Sequence, residues 1–290
     1  MNILISTIIL GLIYFLLALG VYITFRILNF ADMTAEGSLT LGGSTCAICI
    51  LSGLHPALSI IMAGLAGSLA GLATGLLHTK FKIQSILSGI LTMVALYSIN
   101  LKIMGKPNLS LLEKDTIFKN AENMNLTKIT IVVTICTILT LMLNLFFKTN
   151  LGLSIRATGD NEQMMRALGT NTDSKKILAL MISNSLCSTA GALLVQNQGY
   201  ADINMGTGTI VIALSSIVIG EALIFKSSFL SELISIILGS ICYRLIIALV
   251  LNFGMEPSDL KLFTALIATI LLAIPNVRKT IKRSVKRVKN

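Results

Sequence analysis

Long apolar runs without a formal charge recur along this chain, at 3–25, 37–79, 83–101, 129–147, 177–201 and 262–277. One helical crossing of a bilayer takes ~20 such residues, so a chain of this pattern crosses repeatedly. Charged residues make up 12% of the 290, about half the share of an average soluble domain. The longest polar stretch, 102–128, leaves only 27 residues for structure outside the membrane. Four Pro, no Trp and no low-complexity tract exclude a disordered or collagen-like chain. The expected fold is an all-α polytopic membrane protein of about nine spans, near 3–25, 37–53, 57–78, 83–101, 129–147, 176–195, 207–225, 228–250 and 260–275.

Net charge is +10, and its placement sets the orientation. Seven of the last thirteen residues are basic (Arg278, Lys279, Lys282, Arg283, Lys286, Arg287 and Lys289), with no Asp or Glu among them. Directly after a span, such a tail (278–290) reads as a cytoplasmic anchor near anionic lipid rather than as a nucleic-acid arm. The first positive charge, Arg26, follows the first apolar run, which puts residues 1–2 outside and Arg26 inside. An odd number of spans agrees with N-out and C-in. By this count sixteen Lys/Arg fall inside, five lie in the 102–128 loop outside, and Arg244 and Lys261 fall within spans.

Cys46, Cys49, Cys136, Cys187 and Cys242 all sit in apolar segments, so they read as small packing residues rather than a disulfide framework. The Cys46–Cys49 C-x-x-C has no second Cys/His pair at ligand spacing, and no metal is expected. His55-Pro56 reads as a loop turn between spans, and His78 as a cytoplasmic helix end near Lys80 and Lys82. Gly67, Gly71 and Gly75 form overlapping G-x-x-x-G steps, which put glycines on one helix face and mark a close helix–helix contact, within the chain or between two chains.

An internal similarity divides the chain. Phe30-Ala31-Asp32 and the following Met33 to Thr40 resemble Tyr200-Ala201-Asp202 and the following Ile203 to Ile210. Each follows an apolar span and precedes one rich in Gly, Ser and Thr. The charge-based orientation runs the helix before the first copy inward and the helix before the second outward, the relation of an inverted-topology repeat. The layout is then repeat one at about 3–101, an extra span at 129–147, a cytoplasmic loop at 148–176 and repeat two at about 176–275. Asp32 and Asp202 each precede a helix start, where a carboxylate caps free N–H groups or lines a solute path; the sequence leaves both open.

In the cytoplasmic loop, Asp160 as N-cap with Gln163 resembles a capping box, and Gly169 supplies a left-handed stop. The short helix between them places Met164, Met165 and Leu168 on one face, which either lies on the membrane or docks into a partner. Its short, doubly capped form favours docking.

This loop, Leu151-Gly-Leu-x-Ile-Arg156-Ala-x-Gly159-x-Asn161-x-x-Met164-x-x-x-Leu168-Gly169, resembles the ATPase-contacting loop of ABC-importer permeases of the branched-chain amino acid/ribose type. Leu28-Asn29-Phe30-Ala31-Asp32-Met33-Thr34-x-Glu36-Gly37-Ser38 looks like the N-terminal motif of that family. Ile219-Gly220-Glu221, Tyr243-Arg244-Leu245 and Pro257-Ser258-Asp259-Leu260-Lys261-Leu262 extend the resemblance, to a subgroup paired with solute-binding lipoproteins, some linked to aromatic amino acids. The resemblance implies a cell-membrane permease acting as a homodimer, with two copies of a separate ATPase holding ATP and Mg and an extracytoplasmic binding lipoprotein delivering solute. It implies ATPase coupling for Arg156, Asp160, Asn161, Met164, Met165, Leu168 and Gly169. Asn29, Asp32, Glu36, Asp202, Asn204 and Arg244 are the candidates for the translocation path. Independently, the chain carries no G-x-x-x-x-G-K-[S/T] loop, so it is not itself the ATPase and holds no cofactor of its own.

Glu221, Glu232 and Arg244 interrupt apolar spans. The two glutamates are shallow, and ion pairing or snorkelling accounts for them. Arg244 lies deeper, with Asp202, Asp259 or a solute carboxylate as its possible partner. A stand-alone ion-coupled transporter also accommodates the repeat and the intramembrane acids, but it gives the apolar cytoplasmic helix no role. An enzyme finds no Ser/His/Asp group or metal cluster to work with.

Overall fold

The computed structural model describes residues 2–112, 114–118, 125–224 and 228–252, with 262, 266 and 269 beyond them. Ten α-helices follow in order among these residues: α1 (Asn2–Tyr22), α2 (Thr34–Leu51), α3 (Pro56–Thr79), α4 (Ser85–Met104), α5 (Asn125–Lys148), α6 (Asn150–Asp160), α7 (Glu162–Ala167), α8 (Thr172–Gln198), α9 (Thr209–Leu223) and α10 (Phe229–Asn252). A π-helical turn, Ile23–Ile27, extends α1. One departure from an all-α chain is a two-stranded antiparallel ribbon, β1 (Asn108–Ser110) on β2 (Tyr200–Asp202).

Each of the first eight expected spans corresponds to a helix. Among the described residues, six are long and apolar enough to cross a membrane. The other two, α2 and α9, fall short of that measure. α2 carries Glu36 among Gly, Ser and Thr, and α9 has only 15 residues, a rise of about 22 Å against a hydrocarbon core of ~30 Å. The expected ninth span, 260–275, falls almost wholly outside the described residues.

Local chemistry sets the helix ends. Pro56 occupies the first turn of α3, and His55, exposed in the loop before it, accepts through its ring from Ala57 N at 3.2 Å and caps that helix. Gly105 (φ +69°) and Gly199 (φ +78°) stop α4 and α8 in the left-handed conformation.

Contact registers give the helix directions. Along the α3–α8 seam, Gly75 faces Ile177, Gly71 faces Leu180, and Gly67 faces Asn184 and Ser188, so the two run antiparallel. On α2, Ser38 meets Asn184 and Gly43 meets Val195, so α2 runs parallel to α8. Ser183 donates to Gly20 O at 2.8 Å and Cys187 faces Leu17 O, which makes α1 antiparallel to α8. α1 is likewise antiparallel to α10, through Tyr22 on Glu232 and Gly11 on Ile241. α9 is antiparallel to α10, with Gly220 on Ser235. The first helix of each half therefore packs on the second and third helices of the other half: α8 on α2 and α3, α1 on α9 and α10. In each case it runs parallel to the former and antiparallel to the latter.

The glycine stripe of α3 thus serves a contact within the chain. α1 forms the centre, fully buried from Phe15 to Leu19 among α5, α8, α9 and α10. Leu65, Leu69, Leu87, Leu141 and Leu145 point outward from α3, α4 and α5, as lipid-facing side chains do. Cys46 and Cys187 are buried, and all five thiols are free.

Candidate functional site

The two Ala-Asp turns share one local bond and then diverge. Asp32 Oδ1 accepts from Thr34 N at 2.9 Å, and Asp202 Oδ1 accepts from Asn204 N at 2.7 Å. After Asp32 the helix α2 starts at once. After Asp202 the chain turns six more residues to Gly208 (φ +80°) before α9 begins. Asp32 is fully buried, and its Oδ2 takes the Asn184 side-chain amide at 2.8 Å. It fastens the start of α2 to α8, the kind of contact that the capping reading expects.

Glu36, in the first turn of α2, reaches the other half of the chain. Its Oε1 accepts from Gly208 N at 2.9 Å, at the start of the short helix α9. Gly206 lies so close that a Cβ would stand 2.1 Å from Glu36 O, which accounts for glycine at this crossing. Beside this junction is a cavity of about 310 Å³, walled by Glu36, Thr40, Tyr97, Asn100, Ile203 and Thr207 among others. Asn100 donates to Gly37 O at 3.2 Å and ties α4 to α2.

Of the six path candidates, only Glu36 lines this cavity. Asn204 is exposed and Asp202 is half-buried beside the ribbon. Asn29 lies at the other end of the molecule, where its Nδ2 donates to Gly159 O at 3.0 Å, so it belongs with the loop helices. The guanidinium of Arg244 sits 3.6 Å from the centre of the Tyr14 ring, a cation–π contact, and meets no acid among the described residues. Asp259, one suggested partner, lies outside those residues. Tyr97 and Asn100 were not picked out from sequence, though Asn100, an amide in an apolar span, offered a signal; Thr40 and Thr207 fall within the two copies of the internal similarity.

The 148–176 loop is almost wholly helical. Thr149 caps α6, Asn161 caps α7 by accepting from Met164 N at 3.0 Å, and Asn171 caps α8. The expected cap, Asp160, is instead the last residue of α6. The helical backbone continues through it, and the first extended residue is Asn161 (φ −152°, ψ 97°). Gly169 (φ +78°) is the left-handed stop expected of it. Met164 and Leu168 share an exposed face at 47% and 70%, whereas Met165, one residue round the helix, is buried at 8%. The expected three-residue face is therefore a two-residue face, because only the four-residue spacing aligns side chains.

Three fastenings hold this unit. Arg156 lies 3.9 Å from Glu232 and stacks over Phe229, both on α10. Tyr22 donates to the same Glu232, and Arg26, on the π-helical turn, pairs with Glu221. Ion pairing thus accounts for both shallow glutamates. Gly159 packs on the turn after α1, where a Cβ would stand 1.9 Å from Ile27 O. Glu162 holds Lys176 on α8 and Arg166 on α7, each at 2.7 Å, and Arg166 reaches Asp173 at 3.2 Å.

Partial burial alone would raise the Glu162 carboxyl, but Lys176 and Arg166 outweigh it and hold the group below the usual carboxylate range. A depressed folded-state pKa gives a contribution that is full above the unfolded pKa and lost as pH falls through the folded one. Hydrogen exchange of α7, corrected for intrinsic rates, is therefore expected to stay flat from pH 7.5 to about 5 and to rise only in stronger acid. Glu162→Gln is expected to show the faster exchange throughout.

Helices long and apolar enough to cross a membrane thus carry a helical 148–176 loop that is clamped to the end of α1, to α8 and to α10. The family model for the permease component of branched-chain amino acid transport systems matches residues 3–275, and the chain belongs to that family, as a multi-pass ABC-system permease and not an enzyme. It is 44% identical over 274 residues to the tyrosine transport system permease protein of Clostridioides difficile, covering 94% of this chain and 92% of that one. It is 29% identical over 209 residues to the autoinducer 2 import system permease protein LsrC of Yersinia pestis, covering 72% of this chain and 59% of LsrC. Among solved structures, PsaBC from Streptococcus pneumoniae in complex with Fab matches with a TM-score of 0.52 at 18% identity, covering 93% and 89% of the two chains, a likeness of fold.

Proposed function

We propose that this chain forms the membrane pathway of an ATP-driven importer of an amino acid, tyrosine or a close relative. Two copies of a separate cytoplasmic ATPase, carrying ATP and Mg, grip α6 and α7. A second copy of this permease completes the pathway, and an extracytoplasmic solute-binding lipoprotein delivers the solute. The observation that carries this reading is the mounting of α6–α7. Met164 and Leu168 face outward, while the same unit is bolted to the end of α1, to α8 and to α10. A push on that face reaches both halves of the molecule at once.

The reading treats the halves as an inverted-topology repeat with the N-terminus outside. The exchanged packing of α1 and α8, and their opposite directions, support it. ATP-driven closure then rocks one half against the other across the Glu36–Gly208 junction. A stand-alone ion-coupled carrier would leave the exposed face of α7 without a use.

The test is uptake into vesicles holding the permease, its ATPase and its binding lipoprotein. Labelled tyrosine is expected to accumulate only with ATP inside the ATPase-bearing compartment. Accumulation by this chain alone, under an ion gradient, would overturn the proposal. Arg156→Gln is expected to keep the ATPase bound but to cut uptake per ATP about tenfold, the size of a 1–2 kcal/mol coupling loss. Parallel ATPase and uptake assays read that ratio.

A further inference from the structure

We infer that Glu36 and the cavity beside it form a binding site for the ammonium group of a small solute with a flat apolar body, an inference that rests on the importer reading and names what the pathway recognises. Glu36 is an acid at the junction of the two halves, and no Lys, Arg or His among the described residues pairs with it. The other described glutamates at helix ends are treated differently: Glu221 has Arg26, Glu232 has Arg156, and Glu162 has Lys176. A carboxylate at depth without a counter-charge is costly, and here two features compensate only in part. The backbone N–H groups of Gly208 and Ile210 donate to the carboxylate, and the positive end of α9 lies beside it. An ionised carboxylate offers about four acceptor positions, so capping α9 leaves room for a cationic donor from the cavity side.

The rest of the wall sets the body of the ligand. Met93, Val94, Tyr97 and Ile203 supply apolar and aromatic surface, while Asn100 and Thr207 supply neutral polar groups. At about 310 Å³ the space is at the small end of ligand sites. That fits a single amino-acid-sized molecule with a ring to lay against Tyr97 and a sulfur contact from Met93. The wall has no basic side chain, so it discriminates for the ammonium and offers nothing comparable to an isolated carboxylate.

Two probes that share one ring test this on the full chain in lipid nanodiscs: tyramine, which keeps the ammonium and lacks the carboxylate, and 3-(4-hydroxyphenyl)propionate, which does the reverse. Calorimetric titration is expected to show tyramine binding at least about tenfold tighter, in line with a charge-assisted hydrogen bond. Glu36→Gln retains an oxygen that accepts from Gly208 N, so the helix cap and the melting temperature are expected to survive while the preference for tyramine disappears; Glu36→Asp is expected to keep part of it. Equal or tighter binding of the propionate, an undiminished preference in E36Q, or no binding of either probe overturns the inference. ATP-driven tyrosine uptake by the assembled system judges the importer reading separately, and a system that accumulates tyrosine without this preference sinks only the ammonium site.

Discussion

The double variant Met164→Asp/Leu168→Asp is expected to lose the ATPase while inserting and folding normally. Both side chains project from α7 into open space at 47% and 70% exposure, so neither substitution disturbs packing within the chain. Burying two apolar side chains in a groove of the ATPase stabilises the complex by about 2 kcal/mol each. Losing both weakens binding by close to a thousandfold, before the cost of desolvating two carboxylates is added. Co-purification in detergent reads this directly, and melting of the permease alone shows that the fold is intact. The neighbouring Met165→Asp provides the contrast: its side chain is buried, so it is expected to lower stability first.

The second large effect is expected at Gly71. A Cβ there would stand 2.2 Å from Leu180 O, a backbone atom that cannot rotate away. Gly67 makes a similar approach, 2.4 Å from Asn184 O, so the whole seam depends on backbone meeting backbone. Gly71→Leu forces α3 off α8, and α8 in turn carries Asn184, which holds Asp32, and Lys176, which holds Glu162. Overpacking a well-fitted core costs about 1–3 kcal/mol, and a clash against main chain lies at or above the top of that range. Thermal unfolding in detergent is expected to fall by several degrees or to yield no folded protein. Gly53→Leu, at a turn with open space around it, strains only its own positive φ and is expected to leave the α3–α8 seam intact.

The positions of the membrane helices were legible because charge-free runs of helix length admit few alternatives, and the glycine stripe on α3 announced a close contact without naming its partner. The cap of α7 was misplaced by one residue. Asp160 and Asn161 are equally good capping types, and the choice rests on where α6 runs out of helical backbone, which composition does not encode. The β1–β2 ribbon was unreadable, since three residues such as Asn108-Leu109-Ser110 carry no alternation to detect and pair with a partner ninety residues away. The cavity was invisible for a related reason: its wall comes from α2, α4 and the turn before α9, which no local pattern joins. The bond from Asn184, 152 positions on, to the second oxygen of Asp32 joins two segments that no local pattern links, so the sequence left the two readings of Asp32 open. The sequence left the partner of Arg244 open among Asp202, Asp259 and a solute carboxylate; its contact with the face of Tyr14 leaves no charge pattern to read.

The central claim is that α7 is the point where a separate ATPase takes hold. A photoactivatable maleimide on Leu168→Cys, in the assembled system in membranes, tests it most directly, with a thiol on a lipid-facing α5 position such as Leu141→Cys as control. The account predicts one dominant cross-link from position 168 to the ATPase subunit, changed in yield by ATP, and labelling only from the cytoplasmic side. Cross-links from 168 to lipid alone, or labelling of that thiol by an impermeant reagent added outside, would contradict it.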